Sequence, residues 1–141
     1  MRLVLTNNQR RDPVPLKWLT RCAARAARAR RLPTQGTIVV SFIDDRTMRI
    51  LHGRFLESRR ATDVLSFRYV ERRGARSGII GEILIAPSAA RRYATAHRIA
   101  YRDELARYLI HGLLHWLGHD DRTAEQQRTM RAMEDRLLAR C

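Results

Sequence analysis

The amino-acid sequence predicts an α+β fold in which helices pack on a mixed sheet of roughly four strands. Short apolar, β-branched runs alternate with helical patterns in the first half of the chain, and three helical patterns end it. Between these parts, two strand patterns follow one another with only a short polar segment between them, which predicts a hairpin. The expected order is therefore β-α-β-α-β-β-α-α-α, in a single domain that covers residues 1–141.

The first half of the chain contains two predicted strands and two predicted helices. The strands are bounded by asparagine, proline, glycine or aspartate, which are typical turn residues. The first helix has apolar residues at helical spacing, and an aspartate that commonly caps helices precedes the second. The predicted elements are strands at 2–6 and 36–43, a helix at 16–31, and a helix from Asp44 or Asp45 to about Phe55.

The second half contains two predicted strands and three predicted helices. The strands, at 64–70 and 79–86, flank the basic, glycine-containing segment 71–78. Proline favours the first turn of a helix, and Thr123 followed by Gln126 fits a capping box. The predicted helices run from Pro87 to about 97, from 102 to 117, and from 123 to 140.

The chain is strongly basic. Its 28 lysine and arginine residues exceed its 14 aspartate and glutamate residues, which gives a net charge of +14, and Lys17 is the only lysine. A domain with this charge usually binds a polyanion, and nucleic acid is the first expectation. The sequence shows no signal-peptide pattern and no apolar run near the ~18 residues of a membrane span. Cys22 and Cys141 suggest no disulfide framework. We therefore expect a cytoplasmic protein without a membrane partner.

The segment LIHGLLHWLGHDD, residues 109–121, places three histidines and two aspartates among apolar residues. His111 and His115 are four positions apart, so on a helix both imidazoles face the same point. Zinc-binding helices use this spacing, and the surrounding apolar side chains would keep the site dry. The pair therefore predicts a metal site, with hydrogen-bonded core histidines as the alternative interpretation.

A third ligand is expected shortly after Gly118, because glycine commonly ends a helix. Asp121 is ten residues beyond His111, the spacing at which extended zinc helices supply their third ligand. His119 is the alternative, and it would face the metal only if the helix continued through Gly118. We predict that His111, His115 and Asp121 hold one Zn²⁺ with an open fourth position for water.

Gly112 occupies the position at which zinc peptidases carry the glutamate that acts as general base. A glycine there disfavours peptide hydrolysis by the usual zinc-helix mechanism. Together with the basic charge, it favours nucleic acid as the substrate.

Three motifs in order resemble the YbeY family of bacterial metal-dependent endoribonucleases: ATDVLSF at 61–67, GEILIA at 81–86 and HGLLHWLGHDD at 111–121. The resemblance extends over most of the chain, including the closing helix. It implies a zinc-bearing α+β fold and single-strand-specific cleavage of RNA. It also implies a role in 3′-end maturation of 16S rRNA and in ribosome quality control, with the rRNA precursor and proteins of the small ribosomal subunit as partners.

The sequence departs from the family pattern at two positions. Most members have a third histidine where this chain has Asp121, and an anionic ligand should raise the pKa of metal-bound water. Members also tend to carry an arginine six residues before the threonine of TDVLSF, where this chain has Leu56. Arg59 and Arg60 are the expected catalytic substitutes, and Arg54 is a further candidate.

A non-catalytic function is the alternative to the nuclease interpretation. The chain would then be a ribosome-assembly factor that binds rRNA and has a structural zinc or no metal. The departures at Leu56 and Asp121 are the observations that favour it.

Overall fold

The computed structural model describes residues 1–33, 35–54, 63–69 and 78–141. The elements occur in the predicted order, and their bounds lie within two residues of the predicted ones. The strands are β1 (Arg2–Asn7), β2 (Thr37–Phe42), β3 (Val64–Arg68) and β4 (Ile79–Ile85). The helices are α1 (Leu16–Ala29), α2 (Asp45–Arg54), α3 (Pro87–His97), α4 (Tyr101–Trp116) and α5 (Ala124–Leu138).

The four strands form one mixed sheet in the order β1-β2-β4-β3, which confirms the predicted fold class. β2 runs parallel to both β1 and β4, and β3 runs antiparallel to β4 with Val64 opposite Ile85. The predicted pairing of the two consecutive strands is therefore confirmed. The segment that connects them, 70–77, lies outside the described residues.

Alternate residues of β4 join two apolar clusters, because successive side chains of a strand point to opposite faces. Ile83 and Ile85 belong to the larger cluster, which includes Leu109 of α4, whereas Leu84 belongs to a smaller cluster with Met48 of α2. α4 also contacts α1, α3 and α5. The helix that carries the histidines is thus held from several sides. Within the described ranges, no helix has both the length and the apolar character needed to cross a bilayer.

The helix caps follow the sequence signals. Asp44, rather than Asp45, caps α2, because its Oδ1 accepts the backbone N–H of Thr47 at 2.7 Å. The predicted capping box of α5 is confirmed: the N–H of Gln126 donates to Oγ1 of Thr123 at 3.1 Å, and the N–H of Thr123 donates to Oε1 of Gln126 at 3.1 Å. This cap determines where α5 begins and hence which of its residues face α4.

Gly112 lies where α4 packs closely on the sheet. A Cβ atom at this position would lie 2.6 Å from Cγ2 of Ile83 and 3.1 Å from Cγ1 of Val64. The carbonyl oxygen of Gly112 accepts a hydrogen bond from Oγ of Ser66 at 2.9 Å. Position 112 therefore faces the sheet, and it has no room for the glutamate of a zinc peptidase.

Replacement of Gly112 by alanine is expected to lower the free energy of unfolding by about 1–3 kcal/mol, because the added methyl group overpacks the core. Gly53→Ala in α2 is the matched control, since a Cβ there meets no described atom within 4 Å. That change should raise the free energy of unfolding by up to about 1 kcal/mol through helix propensity. Urea denaturation of both variants measures the difference, and equal stabilities would contradict the close packing.

Candidate metal centre

His111 and His115 lie one turn apart on the same face of α4, as their spacing predicts. Their ring centroids are 4.4 Å apart, the ring planes are at 79°, and the two Nε2 atoms are 2.9 Å apart. The side chains are 19% and 28% exposed, respectively. Two ring nitrogens therefore converge at a partly buried point beside the helix.

α4 ends in a Schellman turn at Gly118. The φ angle of this glycine is +99°, in the left-handed region that glycine favours. Its N–H donates to the carbonyl oxygen of His115 at 2.9 Å, and the N–H of His119 donates to that of Leu114 at 3.0 Å. The predicted helix break is confirmed, and the chain turns back after it.

This turn brings the carboxylate of Asp121 beside the two imidazoles. Oδ2 of Asp121 lies 3.6 Å from Nε2 of His111, and Oδ1 lies 3.6 Å from Nε2 of His115. Metal–ligand distances of about 2.0–2.1 Å in a tetrahedral zinc site imply ligand atoms about 3.3–3.4 Å apart. The observed separations of 2.9–3.6 Å bracket this value. The three side chains are thus a donor set that can hold one metal ion.

His119, the alternative ligand, makes a different contact. Its Nε2 lies 3.1 Å from Nη2 of Arg30 and, because a guanidinium only donates, the ring nitrogen accepts. Burial and then the positive charge of Arg30 lower the pKa of His119. The structure therefore places Asp121, rather than His119, with the two helical histidines.

Glu134 of α5 lies directly behind His111. Its Oε2 is 2.7 Å from Nδ1 of His111, and its Oε1 accepts a hydrogen bond from Nη1 of Arg107 at 3.0 Å. Since an ionised carboxylate only accepts, Nδ1 of His111 donates this hydrogen bond, and in the neutral imidazole Nε2 is then the nitrogen that can bind a metal. Metal-binding histidines commonly have such a carboxylate partner, which fixes the orientation of the ring.

Sequence reasoning missed Glu134, although the pattern of α5 contains a signal. Glu134 follows Met133, lies four residues after Met130 and three before Leu137, and all of these residues are buried. The glutamate therefore falls on the apolar face of the helix, where a carboxylate requires a partner. That requirement would have suggested a role in a site.

Burial, followed by the nearby His111, lowers the pKa of His115 from its usual value of 6.5. The carboxylates of Asp121 and Asp120 act in the opposite direction without outweighing these effects. The lowered pKa keeps this imidazole neutral at neutral pH, the form in which histidine binds a metal.

A cavity of about 570 Å³ adjoins the cluster and is lined by Asp121, Glu104, Asp63 and Tyr108, among others. The carbonyl oxygen of Asp63 accepts the N–H of Ala86 at 2.8 Å. The same residue lines the cavity, and the hydroxyl of Tyr108 lies 3.5 Å from Oδ2 of its carboxylate. Three arginines of α4 and α5 also line the cavity: Arg107, Arg128 and Arg131. The space beside the histidines is thus lined by both carboxylates and cations.

The predicted catalytic residues Arg59 and Arg60 lie outside the described residues, as does the whole of segment 55–62. The residues on either side of this segment, Arg54 and Asp63, are described. Arg54 is the last residue of α2. The roles expected of these arginines therefore remain predictions.

The fold and the cluster define a class of protein: an α+β protein with two histidines on a helix and an aspartate after it, able to hold a metal ion. Residues 5–141 match the family model described as endoribonuclease YbeY. The chain belongs to the endoribonuclease YbeY family.

Several curated relatives carry the name endoribonuclease YbeY. The protein of Thermobifida fusca is 33% identical over 138 residues, which cover 94% of this chain and 89% of that protein. The protein of Bifidobacterium animalis subsp. lactis is 34% identical over 113 residues, 77% of this chain and 62% of that protein. For Myxococcus xanthus the identity is 38% over 101 residues, 70% of this chain and 34% of that protein. The chain thus spans less than two thirds of the length of some relatives that it matches.

The solution structure of TM1509 from Thermotoga maritima has a similar fold. It superimposes with a TM-score of 0.61 and 21% sequence identity, over 98% of this chain and 87% of that one. At this identity the similarity concerns the fold alone.

Proposed function

We propose that this protein is a metal-dependent endoribonuclease that cleaves single-stranded RNA with one Zn²⁺ held by His111, His115 and Asp121. The observation that carries the proposal is the convergence of two imidazole nitrogens and a carboxylate, 2.9–3.6 Å apart, beside a large cavity. Membership of a family described as endoribonuclease supports the class of reaction.

Each residue of the cluster has a task in this mechanism. His111 and His115 supply neutral nitrogen ligands, and Asp121 supplies an oxygen ligand. Glu134 accepts the hydrogen bond from Nδ1 of His111, which leaves Nε2 as the ring nitrogen directed at the site. A bound zinc ion would polarise a phosphoryl oxygen and lower the pKa of a water molecule.

Arginines supply the attraction for the RNA backbone. Arg128 and Arg131 line the cavity, where their charges would bind phosphates, so the affinity for RNA should fall steeply with salt. We propose that Arg59 and Arg60 offset the charge that develops on the phosphate oxygens during cleavage, a role suited to the guanidinium group.

We further propose that the cellular reaction is 3′-end maturation of 16S rRNA, together with ribosome quality control, in the cytoplasm. Proteins of the small ribosomal subunit would be the partners. The support is the net charge of +14, which suits an RNA-rich particle, and the resemblance of three motifs to the family.

His115→Ala tests the proposal. The wild type is expected to contain about one zinc ion per chain and to cleave an unstructured oligoribonucleotide, whereas the variant should lose both properties while remaining folded. Metal analysis, an RNase assay and circular dichroism measure these outcomes. His97→Ala, which changes an exposed histidine of α3, is the control and should keep its zinc.

Two results would contradict the nuclease proposal. A zinc-loaded wild type without RNase activity would favour the non-catalytic assembly factor. Unfolding of His115→Ala on loss of the metal would indicate a structural zinc.

A further inference from the structure

The cavity beside the candidate metal centre is larger than an ion and its water require. Its volume is about 570 Å³, whereas one water occupies about 30 Å³ in the liquid. Sites for small molecules usually measure about 300–1,000 Å³. The cavity therefore has room for part of a substrate.

Glu104 places a buried carboxylate at this cavity. The residue is 3% exposed, and its Oε2 accepts no hydrogen bond from the described residues. Nε of Arg107 is 4.0 Å away, too far for a hydrogen bond, and the two Nη atoms of Arg107 donate to Glu134 and Asp135. Because a buried acceptor without a donor is costly, this part of the cavity favours a ligand with N–H groups.

A second carboxylate and two aromatic rings line the same cavity. Asp63 is half-buried, and its Oδ2 lies 3.5 Å from the hydroxyl of Tyr108. Burial raises the pKa of both Asp63 and Glu104, as expected in a dry environment. Tyr93 is 36% exposed, and its ring stacks on that of His97 with centroids 3.8 Å apart. Acceptors and an accessible aromatic ring are the groups that proteins use to bind unpaired bases.

The charged groups that line the cavity suit different parts of a nucleotide. Arg128 and Arg131 on α5 attract phosphate, whereas Asp63 and Glu104 repel it. Within the described residues, neither carboxylate belongs to a group of three donors that could hold a metal ion. The two carboxylates therefore suit an uncharged base with N–H donors.

We infer that Asp63, Glu104 and Tyr93 form a subsite for a guanine base of the RNA substrate, an inference that rests on the proposed nuclease function. Guanine presents its N1–H and N2–H side by side, which matches the two oxygens of one carboxylate, whereas uracil flanks its single N–H with carbonyls. Glu104 is seven residues before His111 on α4, which places the two residues about 10 Å apart along the helix axis. The guanine would thus belong to a nucleotide adjacent to the scissile phosphate.

The test measures cleavage of single-stranded oligoribonucleotides by the zinc-loaded protein. Each oligomer is uridine throughout except at one position, which carries the base under test. We expect kcat/KM next to guanosine to exceed that next to uridine by about tenfold, with inosine, which lacks the N2 amino group, in between. Glu104→Gln should remove this preference while keeping the zinc. Asp103→Asn, which changes the exposed neighbour on α4, is the control and should keep the preference.

If Glu104→Gln does not fold, Asp63→Asn replaces it, because Asp63 is only half-buried. Equal kcat/KM next to guanosine, inosine and uridine would overturn the subsite and leave the nuclease proposal intact. If no oligomer is cleaved, the nuclease proposal fails, and calorimetry with guanosine and uridine monophosphates decides the subsite. Tighter binding of the guanosine nucleotide, lost in the variant, supports it, whereas equal or absent binding overturns it.

Discussion

Asp121→Ala is expected to lose its metal ion, whereas His119→Ala is expected to keep it. The carboxylate of Asp121 lies 3.6 Å from Nε2 of each helical histidine, but His119 points to Arg30. Loss of an outer hydrogen-bond partner typically weakens metal binding by about 10–100-fold. Removal of one of the three ligands themselves should weaken zinc binding by more than that. Metal analysis after dialysis against a weak chelator measures the difference.

RNase activity should follow metal content in this pair. We expect Asp121→Ala to be inactive and His119→Ala to retain most of its activity. Asp121→His offers a further comparison, because it restores the residue that most family members are expected to have there. Loss of zinc from His119→Ala together with its retention in Asp121→Ala would contradict the assignment of the third ligand.

Glu134→Gln is expected to weaken zinc binding by about 10–100-fold. Glutamate accepts hydrogen bonds from both His111 and Arg107 through its two oxygens. Glutamine has one acceptor oxygen and no charge, so it cannot satisfy both donors or hold the proton on Nδ1 of His111 as strongly. Competition with a chromophoric chelator measures the affinity, and the absorption spectrum of the Co²⁺-substituted protein reports the ligand geometry.

Asp135→Asn is the matched control for Glu134. Asp135 accepts a hydrogen bond from Nη2 of Arg107 at 2.7 Å, and its side chain is 59% exposed. This change disturbs the same arginine without touching the carboxylate that pairs with His111. Equal zinc affinities and Co²⁺ spectra for the two variants would show that Glu134 has no special effect on the metal centre.

Much of the fold was predictable because it depends on local patterns. Helix bounds follow capping residues such as Asp44 and Thr123, and strand bounds follow β-branched runs between turn residues. The i, i+4 histidine pair and the glycine that ends α4 are also local, so the sequence predicted the convergence of His111 and His115 and the turn toward Asp121.

The rest of the site was not predictable because its contacts join residues that are far apart in sequence. Glu134 meets His111 across 23 positions, and Asp63 meets Tyr108 across 45. Periodicity shows which face of a helix is buried, but it does not identify the partner across the interface. Position 112 is a further example, since only the packing of α4 on β4 shows that a side chain does not fit there.

Local sequence patterns were enough to predict the order of the elements, the basic charge, and the pair of histidines on a helix that a glycine ends. These properties arise from residue type and spacing over a few turns, where backbone geometry leaves few alternatives. Only the tertiary structure placed Glu134 behind His111 and directed Asp63 and Glu104 into one cavity. Those placements depend on how α4 packs against β3, α3 and α5, and packing brings together side chains that no local pattern connects.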